Sequence, residues 1–129
     1  MTDFRISALG EAHKAWGIAR YLSYAERIQL AKDLHTYGLF SLNQLGKIVG
    51  LTAGGVARHC VKSDNKGGRF QPEALEVLIH IRRVYLEQER VNANLVQAAI
   101  DAGCSASCIA ALTGTPYSTV YHANQRRNT

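Results

Sequence analysis

The stretch Ser105–Arg127, SASCIAALTGTPYSTVYHANQRR, decides the fold of the C-terminal part of the chain. Ile109 and Leu112 have the spacing of residues that face the core from one helix. Gly114 follows at a position where a tight turn with a positive φ would make any side chain costly. Val120 lies six residues beyond Gly114, on the inner face of a second helix. The stretch therefore predicts two helices joined by a tight turn.

A second stretch, Ser41–Cys60, repeats this template with the sequence SLNQLGKIVGLTAGGVARHC. Gly50 takes the place of the turn glycine, and Val56 follows it at the same six-residue distance. A small residue precedes each turn, Gly46 here and Ala110 in the C-terminal copy, so that the second helix can cross closely. Two such matches in one short chain indicate a repeated unit with a common role.

Both stretches resemble the helix-turn-helix superfamily. The run Ser118–Tyr121 is similar to the recognition helix of the resolvase/invertase and related regulator families. The resemblance is local, about 20 residues long. It implies that the second helix of each unit, within 41–61 and 105–126, enters the DNA major groove. The alternative interpretation is a pair of packed helices with no role beyond the core.

In the C-terminal unit, polar and aromatic side chains lie on or near the outer face of the second helix. Ser118 and Thr119 would bond a phosphate or a base. Tyr121 and His122 would contact the backbone or a thymine methyl group, and Gln125 would pair with adenine if the helix inserts deeply. The predicted DNA-binding residues of this unit are Tyr117, Ser118, Thr119, Tyr121, His122, Gln125, Arg126 and Arg127. The last two are interpreted either as phosphate clamps or as a basic tail.

In the N-terminal unit, Arg58 is the best candidate for a guanine contact, because its planar fork matches the two acceptors of that base. Gly54 and Gly55 each cost the second helix about 1 kcal/mol relative to alanine. They predict either a weak helix that needs packing or DNA to become ordered, or a backbone that approaches DNA closely. The predicted DNA-binding residues of this unit and the segment after it are Thr52, Ala53, Gly54, Arg58, Lys62, Lys66 and Arg69.

The composition favours an all-α protein with an anionic partner. The 129 residues are rich in Ala and Leu, contain two prolines and show no alternating strand-like runs. The net charge of +5 fits double-stranded DNA as the partner. The three cysteines form no disulfide framework, and no apolar run is long enough to span a bilayer. We therefore expect free thiols and a soluble protein of the cytoplasm, associated with the nucleoid.

The sequence divides into three segments, 1–62, 63–71 and 72–129. The first and the third are predicted to be small helical subdomains with one helix-turn-helix each. The basic stretch KSDNKGGRFQ between them would be a linker that reaches roughly 33 Å when fully extended, enough to place two recognition helices in successive major grooves. The alternative is a surface loop between packed helices.

Several helices outside the two units are also predicted. A helix over Phe4–Leu22 precedes one that opens with the capping box of Ser23 and Glu26. The helix that begins at Pro72 has too many apolar residues for one narrow stripe, so we expect it to be buried on two sides. It would form a spine between the units or a dimer surface. The predicted aromatic core anchors are Phe4, Trp16 and Phe40.

No arrangement suited to catalysis or metal binding is found in the sequence. Cys104 and Cys108 are four residues apart, with His122 downstream, but a metal site needs further ligands at supporting spacing. Cys108 is interpreted as a small core residue. Arg82 and Arg83 lie among glutamates and are interpreted as a solvated helix face rather than a phosphate patch. We predict that the protein is not an enzyme and has no cofactor.

Three functions remain open from the sequence. The first is a sequence-specific regulator, most readily a repressor, whose two unlike units read an asymmetric bipartite site, as a monomer or a dimer. In this architecture the chain resembles the immunity repressors of temperate actinobacterial phages, over the two units and not over the first 40 residues. The second is a DNA-packaging component similar to a phage terminase small subunit, with the 75–86 helix forming a ring. The third is a helical adaptor whose turns serve packing only.

Overall fold

The computed structural model describes residues 3–60 and 68–128, and side chains as far as Gln125. Its helices are α1 (Phe4–Ile18), α2 (Tyr24–His35), α3 (Leu42–Val49), α4 (Ala53–Ala57), α5 (Leu75–Gln88), α6 (Ala93–Asp101), α7 (Ala106–Thr113) and α8 (Tyr117–Asn128). Short 3₁₀ turns at Ala19–Tyr21 and Pro72–Ala74 follow α1 and precede α5. The chain is therefore all-α, as predicted, and the described ranges contain no strand.

Polar caps fix where the helices begin. Ser23 accepts a hydrogen bond from the Glu26 backbone N–H, and the Glu26 side chain accepts one from the Ser23 N–H. Ser41 and Gln44 form the same capping box at α3. Asn92 caps α6 by accepting bonds from two backbone N–H groups. The predicted helix start at Ser23 is confirmed, and each of these caps contributes about 1 kcal/mol.

One hydrophobic core contains residues from both halves of the chain. α1 lies along α5 and also contacts α3 and α7. Its buried face includes Ala8, Ala12 and Ala15, whose small side chains let the neighbouring helices approach closely. The buried cluster runs from Ala8 to Ala123. The two halves thus pack as one body, while the boundaries predicted at 62/63 and 71/72 stay predictions.

Only part of the predicted aromatic core lies inside. Phe40 is 1% exposed, and Trp16 packs at the edge of the core. Phe4 is instead 48% exposed, and the Arg5 guanidinium lies 4.7 Å from the centroid of its ring. The prediction for Phe4 is wrong because α1 turns its alanine face, and not Phe4, toward the core.

The end of the predicted linker belongs to the packed structure. Phe70 is 1% exposed, and its carbonyl accepts a hydrogen bond of 2.9 Å from the Lys47 ammonium group. The Arg69 carbonyl accepts a bond of 2.9 Å from the Ser105 N–H. Residues 68–71 are therefore tied to both α3 and α7, and the fully extended 62–71 segment is wrong for this end. Lys62 and Lys66 lie outside the described residues.

α5 buries one face completely rather than two. Leu75, Leu78 and Ile81 are fully buried, and the helix contacts α1, α6 and α7. Val77 and Ile79 on the flanks are only half-buried. The wide apolar stripe seen in the sequence includes these flanking positions, and for this reason the sequence overestimates how much of the helix surface is buried. α5 acts inside the chain as a spine between the two halves.

Arg82 is part of the fold and not of a solvated helix face. Its Nη2 pairs with Asp3 Oδ2 at 2.8 Å, and its Nη1 donates to the Thr113 carbonyl at 3.2 Å. Asp3 also caps α1 by accepting bonds from the Arg5 and Ile6 N–H groups. This network connects the start of α1, the middle of α5 and the end of α7.

Replacing Asp3 by Asn is expected to lower the free energy of unfolding near pH 7 by about 1–2 kcal/mol, because the ion pair is lost. The bond from Arg82, followed by those from the Ile6 and Arg5 amides, holds the pKa of Asp3 below its ordinary value of 3.8, although burial opposes the shift. Such a group adds stability above its unfolded-state pKa, and this stability is lost as the pH falls through the folded-state pKa. Urea unfolding should therefore show the two proteins converging below about pH 4. A difference that stays constant into acid would contradict this role.

Candidate nucleic-acid interface

Two pairs of helices share a serine cap, a left-handed glycine and a buried valine at positions 64 residues apart, although their second helices differ in length. Ser41 and Ser105 cap α3 and α7 by accepting a bond from the third backbone N–H of each helix. Both helices end on a glycine in the left-handed region, with φ of 76° at Gly50 and 71° at Gly114. We call α3, Gly50 and α4 the N-terminal pair, and α7, Gly114 and α8 the C-terminal pair.

A buried valine and a close crossing hold the second helix of each pair against the first. Val56 and Val120 are both fully buried. In the N-terminal pair the Leu51 N–H donates to the Gly46 carbonyl at 2.8 Å, and a Cβ at Gly46 would lie 2.6 Å from the Leu51 carbonyl oxygen. Ala110 occupies the equivalent place in the C-terminal pair, where it is half-buried and packs against the core. The inner faces of α4 and α8 are fixed by these contacts.

The outer face of α4 is small and open. Ala53, Gly54 and Arg58 are exposed, and no atom of the described residues lies within 4 Å of a Cβ added at Gly54. Thr52 is exposed as well, but its hydroxyl oxygen accepts a bond of 3.0 Å from the Gly55 N–H and so caps the helix. α4 is five residues long, in keeping with its two glycines.

Three cationic side chains surround one side of the Gly50 turn. Arg20, Arg27 and Lys47 line a shallow cavity there together with Trp16. Arg27 is held in place because its Nη1 donates to the Gly50 carbonyl at 3.3 Å. Within the described part of the chain, no carboxylate lines the cavity. The positive charge is therefore not neutralised locally, and the cavity has the electrostatics of an anion site.

A second depression lies on the other side of the same turn. Tyr24 of α2 is 54% exposed and lines it with Gly54 and Arg58 of α4. Tyrosine hydroxyls and arginines are frequent contacts for the DNA backbone. Because both depressions reach Gly50, the cations form one continuous surface. We call it the basic surface, made of Arg20, Arg27, Lys47 and Arg58.

Exposed aromatic side chains dominate the outer face of α8. The rings of Tyr117 and Tyr121 stack with centroids 6.2 Å apart, and the His122 ring meets Tyr121 edge-on at 5.8 Å. The two tyrosines are 54% and 44% exposed. Ser118 and Gln125 are exposed on the same helix. Large aromatic side chains grouped in solvent are typical of a binding surface.

Other predicted contacts lie elsewhere or beyond the described side chains. Thr119 is half-buried and lines a groove with the connection between α5 and α6, at the edge of the outer face of α8. Arg69 is exposed, but its bond to Ser105 places it at the start of α7 and away from α4. Arg126 and Arg127 belong to α8, and their side chains are outside the described part.

An arginine also covers the turn of the C-terminal pair. A Cβ at Gly114 would lie 2.8 Å from the Nε and Cζ atoms of Arg5, the end of a flexible side chain that can shift, so the glycine is needed for its φ of 71°. Burial, followed by the charge of Arg82, lowers the pKa of Arg5, while Asp3 opposes this shift. The Arg5 Nε is buried and has no hydrogen-bond partner among the described residues. Each turn therefore has an arginine from a neighbouring helix beside it.

The sequence alone does not identify Tyr24, Arg27 and Lys47 as part of this surface. A signal is nevertheless present for the first two, because Tyr24 and Arg27 lie three residues apart on α2 and combine a cation with an aromatic ring on one side of that helix. Lys47 carries no such signal. It reaches the cavity because α3 packs against the turn Ala19–Tyr21, a contact between distant parts of the chain.

Metal-binding and membrane-spanning features are absent from the described residues. They contain no group of three His, Cys, Asp or Glu side chains that would hold a metal ion. Cys104 and Cys108 are buried free thiols, as predicted for Cys108. The hydrogen bond between them lowers the pKa of Cys104 and raises that of Cys108. No single described helix is long and apolar enough to cross a membrane. α6 and α7 reach the required length and apolar composition only when taken together, and their axes are bent by 117° relative to each other.

No protein-family model matches the chain, and no characterised protein or solved structure is significantly similar to it. Its function is therefore argued from the geometry and the charge of the two pairs.

Proposed function

We propose that the protein is a sequence-specific regulator that binds double-stranded DNA, with α4 and α8 as recognition helices of two helix-turn-helix units. The observation that carries this proposal is the repeated local structure. Each pair has a serine cap, a left-handed glycine and a buried valine, and each leaves the outer face of its second helix exposed. A helix anchored on one face and open on the other fits the major groove.

The two pairs would contribute differently to binding. The basic surface of the N-terminal pair would bind phosphates, and the Arg58 fork also suits a guanine edge. The outer face of α8 would read bases through Ser118, Tyr121, His122 and Gln125. Phosphate contacts set position and much of the affinity, whereas base contacts set the sequence preference. Sequence preference would then come mainly from the C-terminal pair.

We further propose that the regulator is a repressor acting in the bacterial cytoplasm, in the manner of the phage immunity repressors that its two units resemble. A repressor needs only to occupy its operator, and both surfaces belong to one chain with one core. A monomer on an asymmetric bipartite operator is therefore sufficient for this function.

The packaging alternative needs an apolar face for ring assembly. Leu75, Leu78 and Ile81 of α5 are packed inside the chain and are not available to a neighbouring subunit. Leu86 at the end of the helix is 46% exposed, but a single side chain supplies little area for assembly. The regulator is therefore favoured over the ring-forming component.

The first test is selection of bound sequences from a random duplex library, with the complex sized by light scattering. We expect one long asymmetric sequence bound by a monomer. No enrichment, or a ring-sized particle with weak preference, would contradict the proposal and favour the packaging component or the adaptor.

Arg58→Ala and the double variant Ser118→Ala/Tyr121→Ala are each expected to weaken binding to the selected duplex. The loss should be about 1–3 kcal/mol for each base contact removed. Fluorescence anisotropy with the selected and a scrambled duplex measures both affinity and preference. Arg83→Ala is the matched control, since it removes an exposed arginine of α5 that lines neither depression at Gly50. If the α8 variant lost affinity and the Arg58→Ala variant did not, reading by two helices would be contradicted. The proposal that the protein binds DNA would still stand.

Gly54→Ala should separate stability from DNA binding. The added methyl group has no neighbour within 4 Å among residues 3–60 and 68–128, and alanine is favoured over glycine in a helix by about 1 kcal/mol. The variant should therefore unfold at higher urea concentration but bind the selected duplex more weakly, because DNA approaches the backbone at this position. Gly10→Ala, equally open within α1, is the control and should leave DNA affinity unchanged. Equal DNA affinity of both variants would argue against close approach at Gly54.

A further inference from the structure

Equivalent positions of the two pairs contact each other inside the molecule. Gln44 of α3 and Cys108 of α7 are 64 residues apart, and each is the third helical residue after its serine cap. The Gln44 Nε2 lies 3.7 Å from the Cys108 Sγ, and both side chains are buried. When two copies of a unit are related by a two-fold axis, equivalent positions of the copies can contact each other at the axis. Copies related by a tandem shift would instead bring unlike positions together.

The helices around this contact are arranged reciprocally. α1 precedes the N-terminal pair, α5 precedes the C-terminal pair, and these two helices pack along each other. α1 contacts α3 of its own half and α7 of the other half. α5 contacts α7 of its own half, and the turn Pro72–Ala74 at its start contacts α3. Each half therefore makes the same kind of contact with the other.

We propose that an internal two-fold pseudosymmetry relates the two pairs, and that one chain reads two unlike half-sites of opposite orientation on DNA. This inference rests on the proposed function and specifies the geometry of the operator. Duplex DNA has two-fold axes perpendicular to its length, so recognition helices related by a two-fold axis meet half-sites in inverted order. The half-sites differ because the equivalent outer residues of α4 and α8 differ. They are Ala53, Gly54, Ala57 and Arg58 on α4, and Tyr117, Ser118, Tyr121 and His122 on α8.

The size of the protein limits the spacing of the half-sites. A folded chain of this length has a radius of gyration of about 14 Å. Two helices at opposite ends of one face of such a body are separated by no more than about one turn of DNA, roughly 34 Å. The centres of the half-sites should therefore lie about 10 base pairs apart or fewer.

The test makes the two outer faces alike and determines the orientation of the half-sites that are then selected. The outer residues of α4 are replaced by their equivalents on α8, with the substitutions Ala53→Tyr, Gly54→Ser, Ala57→Tyr and Arg58→His. All four positions are exposed, so the core and the Gly50 turn are left unchanged. Thermal unfolding and circular dichroism verify the fold, and the symmetrised chain and the wild type are both selected against a random duplex library.

An inverted repeat of one half-site sequence is the expected result for the symmetrised chain. Reversing one half of that repeat at constant spacing should weaken binding by about 5- to 100-fold for each base pair that no longer matches. A direct repeat, or a single half-site with no second copy, would overturn the two-fold arrangement and leave DNA binding intact. Failure of the wild type to enrich any sequence would overturn the proposed function, and this inference with it.

The reciprocal variant places all changes on α8 and keeps the inference testable if the first variant unfolds. Its substitutions are Tyr117→Ala, Ser118→Gly, Tyr121→Ala and His122→Arg. It should also select an inverted repeat, built from the half-site that α4 reads. A direct repeat from this chain would count against the inference in the same way.

Discussion

Raising the salt concentration from about 50 to about 200 mM is expected to weaken DNA binding by about 10³- to 10⁵-fold. A loss of this size corresponds to roughly 6–10 phosphate contacts, whose formation releases counterions from the duplex. The basic surface supplies four cations, and none of them forms an ion pair with a carboxylate among the described residues. Anisotropy titrations of the selected duplex across this salt range measure the slope.

A matched pair of charge variants locates the phosphate contacts. Arg20→Gln removes an exposed cation of the basic surface and should reduce the slope of log affinity against log salt by about 0.9. Arg83→Gln removes the same charge from α5, away from both depressions, and should leave the slope near its original value. An affinity indifferent to salt would contradict the proposed function and favour the helical adaptor. Equal slopes for the two variants would remove Arg20 from the interface.

Gly46→Ala is expected to destabilise the protein by about 1–3 kcal/mol, the range typical of an overpacked core. The added Cβ would lie 2.6 Å from the Leu51 carbonyl oxygen and 3.3 Å from the Thr52 carbonyl carbon. Both are backbone atoms, which cannot rotate away as a flexible side chain would. α4 must therefore move away from α3, which also stretches the 2.8 Å bond from the Leu51 N–H to the Gly46 carbonyl. Urea unfolding measures the loss, and DNA affinity should fall with it.

Gly10→Ala provides the control for this substitution. Gly10 lies within α1 and has nothing within 4 Å of the added methyl group, so alanine should stabilise the helix by up to about 1 kcal/mol. The two glycine-to-alanine changes are thus expected to have opposite signs. A Gly46→Ala protein as stable as Gly10→Ala would show that the crossing of α3 and α4 relaxes without cost.

The parts of the fold that depend on local interactions were predictable from the sequence. Ser23 and Ser41 bond to groups three residues away, and Gly50 and Gly114 adopt a φ that other residues rarely take. These effects act within one helical turn, so helix starts and turns are encoded next to where they occur. Helical periodicity likewise places most of the outer residues of α4 and α8, whose contact with DNA stays a prediction.

The features that sequence reasoning missed depend on contacts between distant residues. Arg82 pairs with Asp3 across 79 positions of the chain, which removes it from the solvated face predicted for it. Phe4 lies outside the core because the alanine face of α1 is the one that packs along α5. Lys47 joins the basic surface only through the packing of α3. The spacing of residues along one helix does not predict which other helix packs against each of its faces.

The shared core affects how operator occupancy depends on protein concentration and how the two recognition helices can evolve. A homodimeric regulator must assemble before it binds, so at low copy number its active form rises with the square of protein concentration. Here both pairs belong to one chain and share one core, and occupancy of the proposed operator would rise in direct proportion from the first molecules made. In a homodimer every substitution also appears twice. In this chain a change on α4 leaves α8 untouched, so the two halves of an operator are free to evolve separately.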